Sequence, residues 1–527
     1  MAGNNYKVLI TTSGLGQRLG ELTKYTNKSL VRIGKKPTLS YVVESYPKDI
    51  PLVITIGYFG EQVKDFMRLA YPDRKVEFVK VDNYDGPGSS LGYSMLCARD
   101  HLQCPFIYHA SDTIVKGKIP APKHNWVGVC KGDDTSQYAS WKVLNGKNII
   151  LNDKGAIDFD YLHIGLNGIK DYKIFWKILE DLYKKDPNNS SLGDCPVIIQ
   201  MLKNGNSFKL TDFPTWFDIG NVAALDYARK NIGDAFDNLD KVDESLYIFK
   251  DFVIKFFYDE KTAKNRVKRA KILSGIVPEI EESAKNFYRY KYIDGDLYSR
   301  VVNPVSFNKF LKWSKNNLWK KTKEVSDEKF KKACYDFYFN KTTERIKKFL
   351  DNNSIKDAER IINGEKIPTM KDLLKMIDFD WLSSTNQRTF HGDFILDNIL
   401  KTKDSYCLLD WRQDFGGLLE SGDVYYDLAK LNHNLTVNHD IIHQNLFIIN
   451  VNNNKVECDI MRKDNLVKCQ DIFFNFLKKE KYDIKKVQLL TALIWLNMSP
   501  LHHHPFNLFL YYFGKLNLWR ALKETKK

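Results

Sequence analysis

The sequence predicts two folded units of different class in one chain: an α/β unit first, then an α+β unit in which a small β portion precedes a large helical one. Three observations carry this expectation. The chain has 527 residues, whereas single cores cover about 100–200 residues. Short apolar β runs alternate with helical stretches through the first 230 residues, the pattern of a mainly parallel sheet covered on both faces. A polar, acidic segment at 231–244 then gives way to a hairpin-like run and a long helical pattern.

In chain order, residues 7–12 (KVLITT), 51–57 (PLVITIG), 75–81 (KVEFVKV) and 104–109 (CPFIYH) are expected strands. Residues 40–46, 61–69 and 91–101 between them are expected helices. The junction is expected at 235/236, giving domains 1–235 and 236–527, because residues 231–244 hold five acidic residues and little apolar content. Residues 246–257 (LYIFKDFVIKFF) follow as a β-hairpin, then a basic helix. Residues 306–376 are largely helical in pattern, 389–411 carry two short strands, and the remainder to 527 is expected to be helical.

Composition narrows the class. Hydrophobic residues make up 43% and charged residues 28%. No apolar run reaches the ~18 residues of a membrane span, and the polar start lacks a signal-peptide core. A cytoplasmic protein without a membrane span is expected. The eight cysteines show no C-x-x-C pair, so they are expected to be reduced and mostly buried. The net charge of +15 fits binding to nucleic acid or a membrane surface, and equally the handling of nucleoside triphosphates and phosphorylated substrates. No nucleic-acid motif accompanies the densest basic stretch, Lys261 to Lys271, which is expected to be a solvated helix face.

The first chemical constellation follows the first strand directly. In Thr11-Thr12-Ser13-Gly14-Leu15-Gly16-Gln17-Arg18, glycines let backbone N–H groups approach phosphate oxygens. Arg18 and, ten residues on, Lys28 add positive charge. A tight turn would use the same glycines. With Asn27-Lys28-Ser29-Leu30 and Gly34-Lys35-Lys36-Pro37, the run resembles the signature of nucleotidyltransferases that make sugar nucleotides and similar activated metabolites. The resemblance spans residues 6–230 and implies a Rossmann-like α/β fold. It implies that Asp112, in Ser111-Asp112-Thr113, and Asp218, in Trp216-Phe217-Asp218-Ile219-Gly220, hold Mg²⁺. Arg18 and Lys28 would then be catalytic, on the phosphates. Gly14 and Gly16, with Gly86 and Ser89 of the segment Asp85 to Gly92, would meet the nucleotide. Lys154 corresponds in position to a lysine on the substrate phosphate, with a plain surface lysine as the even alternative.

The second constellation is His391-Gly392-Asp393-Phe394-Ile395-Leu396-Asp397-Asn398, with Asp410 twelve residues on. It resembles the aminoglycoside phosphotransferase and choline kinase group, which shares the protein-kinase fold. The resemblance covers residues 245–515, with its specificity concentrated in 391–429. It implies that Asp393 orients the substrate hydroxyl and accepts its proton, while Asn398 and Asp410 hold Mg²⁺. His391 would brace the loop, with Asp423 and Asp427 as props. Lys255 corresponds to the strand lysine on the ATP phosphates, and Asp294, in Tyr292-Ile293-Asp294-Gly295, to the segment that meets the adenine. Three departures stand out: residues 265–273 are basic where a glutamate is usual, no glycine-rich loop precedes Leu246, and Arg412 follows Asp410-Trp411 where an acid is common. His502-His503-His504 suits packing or a substrate pocket better than one metal ion, since adjacent histidines converge poorly.

The expected function is therefore bifunctional. The kinase would phosphorylate a sugar, polyol or amino alcohol with ATP. The transferase would couple the product to a nucleotide from CTP, UTP, dTTP or GTP and release pyrophosphate, in the manner of surface polysaccharide precursor synthesis. The alternative is a transferase with a degenerate kinase-like domain used for binding or regulation. No nucleic-acid partner is expected, and a homo-oligomer is left open.

Overall fold

The computed structural model describes residues 6–144, 148–232 and 241–523. The chain divides into two compact units, one of Met1–Ala263 with Glu281–Tyr292, the other of Lys264–Ile280 with Ile293–Lys527.

The first unit is built on a nine-stranded sheet. Strands β1 (Lys7–Thr11), β2 (Leu52–Ile56), β3 (Val76–Lys80) and β4 (Phe106–Ala110) form its parallel part in the order β4-β1-β2-β3. Helices α1 (Thr38–Glu44), α2 (Gly60–Ala70) and α3 (Leu91–Ala98) alternate with them. The two-residue period of a strand sends side chains to both faces. Val8 and Ile10 join Leu39, Val42 and Phe66 in one core, while Leu9 joins Met95, Ala98 and Phe175 in the other. These elements fit the Rossmann-like expectation. The expected mainly parallel sheet is in fact mixed. Beyond β4, strand β5 (Tyr161–Ile169) runs antiparallel to it and carries further antiparallel strands. A separate pair joins β6 (Thr113–Val115) to β7 (Trp216–Asp218).

The 235/236 junction lies outside the described residues, and the β-hairpin assigned to the second domain groups instead with the first unit. Strands β8 (Glu244–Ile248) and β9 (Phe252–Phe257) pair antiparallel, as expected, and β9 pairs with β10 (Phe287–Lys291). Tyr247, Phe249, Ile254, Phe256 and Phe287 share one core with Phe66 and Leu69. The Tyr247 and Phe66 rings meet edge-on at 5.4 Å, and the Tyr247 hydroxyl donates to the Leu30 carbonyl at 2.7 Å. The aromatic alternation that marks a hairpin does not reveal which core the hairpin covers.

The second unit is mainly helical. It holds α4 (Pro304–Asn317), α5 (Lys341–Asn352), α6 (Val424–Thr436), α7 (Ile484–Met498) and α8 (Phe506–Lys523). Leu489, Leu493 and Trp495 of α7 and Phe509, Leu510 and Tyr512 of α8 are buried in its main core. A short hairpin, β11 (Ile399–Lys401) with β12 (Tyr406–Leu408), follows the His391–Asn398 motif as expected. The tail is not wholly helical: Phe447–Asn452 and Lys455–Ile460 form a second hairpin turned at Asn453, whose φ is +53°. Asparagine tolerates that conformation better than most residues. No described helix is long and apolar enough to cross a membrane. All eight cysteines are free, four of them buried.

Candidate active sites

In the first unit, the β6–β7 pair sets the two expected metal aspartates side by side. Asp218 stands opposite Thr113 in register, and the Ile219 amide donates to the Asp112 carbonyl at 2.9 Å. Lys28 Nζ reaches Asp112 Oδ2 at 2.9 Å. Burial favours the neutral form of Asp112, but the charge and hydrogen bond of Lys28, with Arg18 adding less, hold its carboxyl below the ordinary value. Asp218 shifts the other way: burial and the Asp112 charge push it up, against hydrogen bonds from the Tyr138 hydroxyl at 2.7 Å and the Gly220 amide at 2.9 Å. No sequence motif marks Tyr138.

Lys28 is fixed from below. Asn27 donates to the carbonyls of Thr12 and Tyr58 at 2.8 and 2.6 Å and accepts from the Ser29 amide at 2.9 Å. Gly16 has φ +68°, and a Cβ there would stand 2.8 Å from Lys28 Cβ, so a side chain would push the lysine away. A cavity of about 230 Å³ brings Gly14, Lys28 and Ser89 together with Thr11, Ser13 and Ser90. Ser89 Oγ donates to the Gly86 carbonyl at 2.7 Å, and Ser90 caps α3. Arg18 is exposed but near enough to act on both aspartates electrostatically. Lys154 is exposed after residue 152 and has no polar partner among the described residues, so the structure does not join it to this group. Two carboxylates, one of them paired with a lysine that lines this cavity, fit Mg²⁺, which takes one or two carboxylates alongside phosphate oxygens.

In the second unit, Asp393, Asn398 and Asp410 come together. Asn398 Nδ2 donates to the Asp393 carbonyl and to Asp393 Oδ2 at 2.9 and 3.1 Å. Asp410 has φ +56°. Asp427 accepts from the amides of His391 and Gly392 at 2.8 and 2.7 Å and from Trp319 Nε1 at 3.1 Å, the bracing expected of it. Asp423 accepts from the Tyr338 hydroxyl at 2.7 Å. His391 Nε2 lies 2.9 Å from the Leu409 carbonyl.

The basic helix is solvated at Lys261, Lys264, Lys268 and Lys271, as expected, but its two arginines are buried. Arg266 ion-pairs with Asp410. Arg269 is fully buried, lies 3.8 Å over the Phe390 ring, and donates to the carbonyls of Phe390, His391, Arg412 and Leu419. The two arginines of this basic stretch therefore tie down the loop from the helix that lacks the usual glutamate. Lys430 of α6, which no motif marks, pairs with Asp393 at 2.7 Å. Burial opposes the Asp393 charge, yet Lys430 holds the carboxyl down to about 2. The donor set of Asn398 and Asp410 fits a magnesium ion in chemistry, although Arg266 already holds Asp410 Oδ1. Lys255 lies on β9 in the first unit, opposite Tyr288. Asp294 is exposed. His502 meets the Phe506 ring edge-on at 5.0 Å, and burial pushes its pKa down to about 4, in keeping with a packing role.

No protein-family model matches the chain. Over 151 residues, 28% of the chain, it is 26% identical to choline-phosphate cytidylyltransferase of Streptococcus pneumoniae (strain ATCC BAA-255 / R6), and the match spans 62% of that relative's length. Among solved structures, CTP:phosphocholine cytidylyltransferase from Streptococcus pneumoniae matches at 18% identity with a TM-score of 0.36, covering 44% of this chain and 100% of that one. A putative glucose-1-phosphate thymidylyltransferase from Bacillus anthracis matches at 18% and 0.38, covering 45% and 98%. The inositol-1-phosphate CTP transferase from T. maritima matches at 18% and 0.34, covering 44% and 98%. The similarity lies in roughly the N-terminal 45% of the chain.

Proposed function

We propose that the first unit is a nucleotidyltransferase that couples a phosphorylated small alcohol to a nucleoside triphosphate and releases pyrophosphate. The observation that carries this is the pairing of Asp112 and Asp218 across β6–β7 beside Lys28 and the cavity of Gly14 and Ser89. The substrate phosphate attacks the α-phosphorus, so charge must be neutralised and the partners held in line. Lys28 and Arg18 neutralise phosphate oxygens, and backbone at Gly14 approaches them closely. Mg²⁺ held by Asp112 and Asp218 would supply further charge neutralisation. The 26% identity with a choline-phosphate cytidylyltransferase supports CTP as the donor.

We further infer that the second unit phosphorylates the alcohol with ATP, Asn398 and Asp410 holding Mg²⁺ and Asp393 orienting the hydroxyl. A carboxyl held to about 2 by Lys430 is a poor base at rest. It positions the hydroxyl by a hydrogen bond and takes the proton late in the transfer. One specific observation favours a second reading, a unit that binds without turnover: Arg266 already occupies Asp410. Consecutive steps give the fusion its purpose, because the kinase makes the phosphate monoester that the transferase consumes, as in surface polysaccharide precursor synthesis. Pyrophosphate release by the intact protein, screened over four nucleoside triphosphates and a panel of phosphorylated alcohols, tests the first reading. ATP consumption with the free alcohols tests the second. No release with any pair would refute the transferase reading.

A further inference from the structure

Beside Asp393 the second unit gathers more positive charge than it neutralises. Arg412 follows the Asp410 motif, and its stem lies on Gly392: a Cβ at Gly392 would stand 2.5 Å from Arg412 Cβ and 3.1 Å from its Cδ. Gly392 also has φ +89°, so glycine there both admits the arginine and turns the loop. From α5, Lys341 Nζ lies 3.9 Å from the centroid of the Phe337 ring, and Arg412 Cζ lies 5.0 Å from the same centroid. Phe337 is buried, stacked on Phe415 at 4.5 Å and edge-on to Tyr426 at 5.0 Å. One rigid ring therefore seats two cations. One turn along α5, Arg345 donates to the Asn497 carbonyl at 3.0 Å and to no carboxylate among the described residues.

Neither Lys341 nor Arg412 has an acidic partner within salt-bridge reach or a side-chain hydrogen bond among the described residues, and Arg412 Nε is buried without an acceptor. The cation of Lys430 is already spent on Asp393. The strongest charges acting on Lys341 are Arg412, Arg345 and Lys430, with Asp414 opposing them less strongly. Half-buried cations without counter-ions are costly, and an anion entering here would relieve them. Burial and these neighbours push Lys341 down to about 6, so at neutral pH it takes up its proton fully only when an anion arrives beside it.

We propose that Lys341, Arg345 and Arg412 bind the anionic end of the alcohol whose hydroxyl Asp393 orients, so that the acceptor is a small hydroxylated carboxylate or phosphate. This deepens the kinase reading and rests on it. The acceptor oxygen bonds to the γ-phosphorus of ATP, the bond from that phosphorus to the β–γ bridging oxygen breaks, ADP leaves, and the hydroxyl proton passes to Asp393 and on to solvent. A quaternary ammonium would meet the wrong charge at this site.

The test is calorimetric binding to the full chain without ATP, using D-glycerate, glycerol 3-phosphate, glycerol and choline as probes. Either or both anions are expected to bind, with glycerol and choline silent. Lys341→Met, which keeps the stem on Phe337, and Arg412→Gln should weaken binding roughly ten- to hundredfold, the range for a lost charged hydrogen bond. Both should raise the KM for the acceptor and leave the KM for ATP unchanged. Thermal melts show whether each variant is folded. Choline binding in preference to the anions, no anion binding at millimolar concentration, or variants that raise the KM for ATP instead would each overturn the proposal. Anion binding that the variants abolish, without ATP consumption, would keep the anion site and remove only the kinase reading.

Discussion

The two aspartate pairs each hold one member ionised beside a lysine and differ in the second. In the first unit Asp112 is held ionised by Lys28, while Asp218 is pushed up by burial and by its neighbour. In the second, Asp393 is drawn down to about 2 by Lys430, and Asp410 is tied to Arg266. The first pair is short of positive charge at Asp218 and suits an arriving cation. The second comes with cations of its own, so a metal there must compete with protein. The lesson is that a motif names the ligands, whereas the cations around them decide how readily a metal joins.

The largest expected effects separate the pairs. Asp112→Ala should lower pyrophosphate release at least a hundredfold and leave ATP consumption intact; Asp393→Ala should do the reverse, each within the range for lost transition-state electrostatics or proton transfer. Parallel assays of both activities on each folded variant decide it, and loss of both activities in either one would break the comparison. Next in size is the hairpin. Tyr247→Ala should cost about 3–5 kcal/mol in denaturant melts, as for large aromatics removed from a core. A fragment ending at residue 235 should melt less cooperatively than one ending at 292, because it leaves Phe66 and Leu69 without Tyr247, Phe249 and Phe287.

Smaller effects sharpen the comparison. Arg266→Ala should lower the magnesium concentration that half-saturates the kinase by about tenfold, the equivalent of one pKa unit, whereas Lys28→Ala should slow the transferase at any magnesium concentration. A magnesium titration of each variant distinguishes the two. The smallest effect is in pH. Asp393 has its carboxyl lowered on folding, so it adds stability that is fully present above about pH 4 and fades as pH falls toward 2. Asp218 is raised on folding, so its cost appears as pH rises through the carboxylate range. Asp393→Asn should flatten the acid limb of the stability curve, and Asp218→Asn should move it the other way.

The sequence made the strand and helix order of the first unit legible, because buried parallel strands are short apolar runs such as residues 51–57. It also made the motif residues of both sites legible through the family resemblances, each motif being local: Asp112 stands at a strand end, Asp218 ends a short β run, and Asp393 and Asn398 share one loop. Contacts between distant segments were not legible. Arg266 and Asp410 are 144 residues apart, and nothing in a basic helical pattern says that Arg269 will be buried against four carbonyls. Lys430 carries no local signature. The Phe447–Ile460 hairpin was missed although Asn452-Asn453-Asn454 stands between two alternating runs, which is a turn signal. The hairpin at 244–257 was found, but its partner core was not.

The measurement that tests the central claim most directly follows both products in one reaction of the intact protein with ATP, CTP, magnesium and an accepted alcohol. The account predicts one pyrophosphate released per ATP consumed, with Asp112→Ala stopping at the phosphorylated alcohol and Asp393→Ala restored by adding that intermediate. Nucleotide product formed by Asp393→Ala from the free alcohol, or a phosphorylated alcohol that the transferase site ignores, would contradict it.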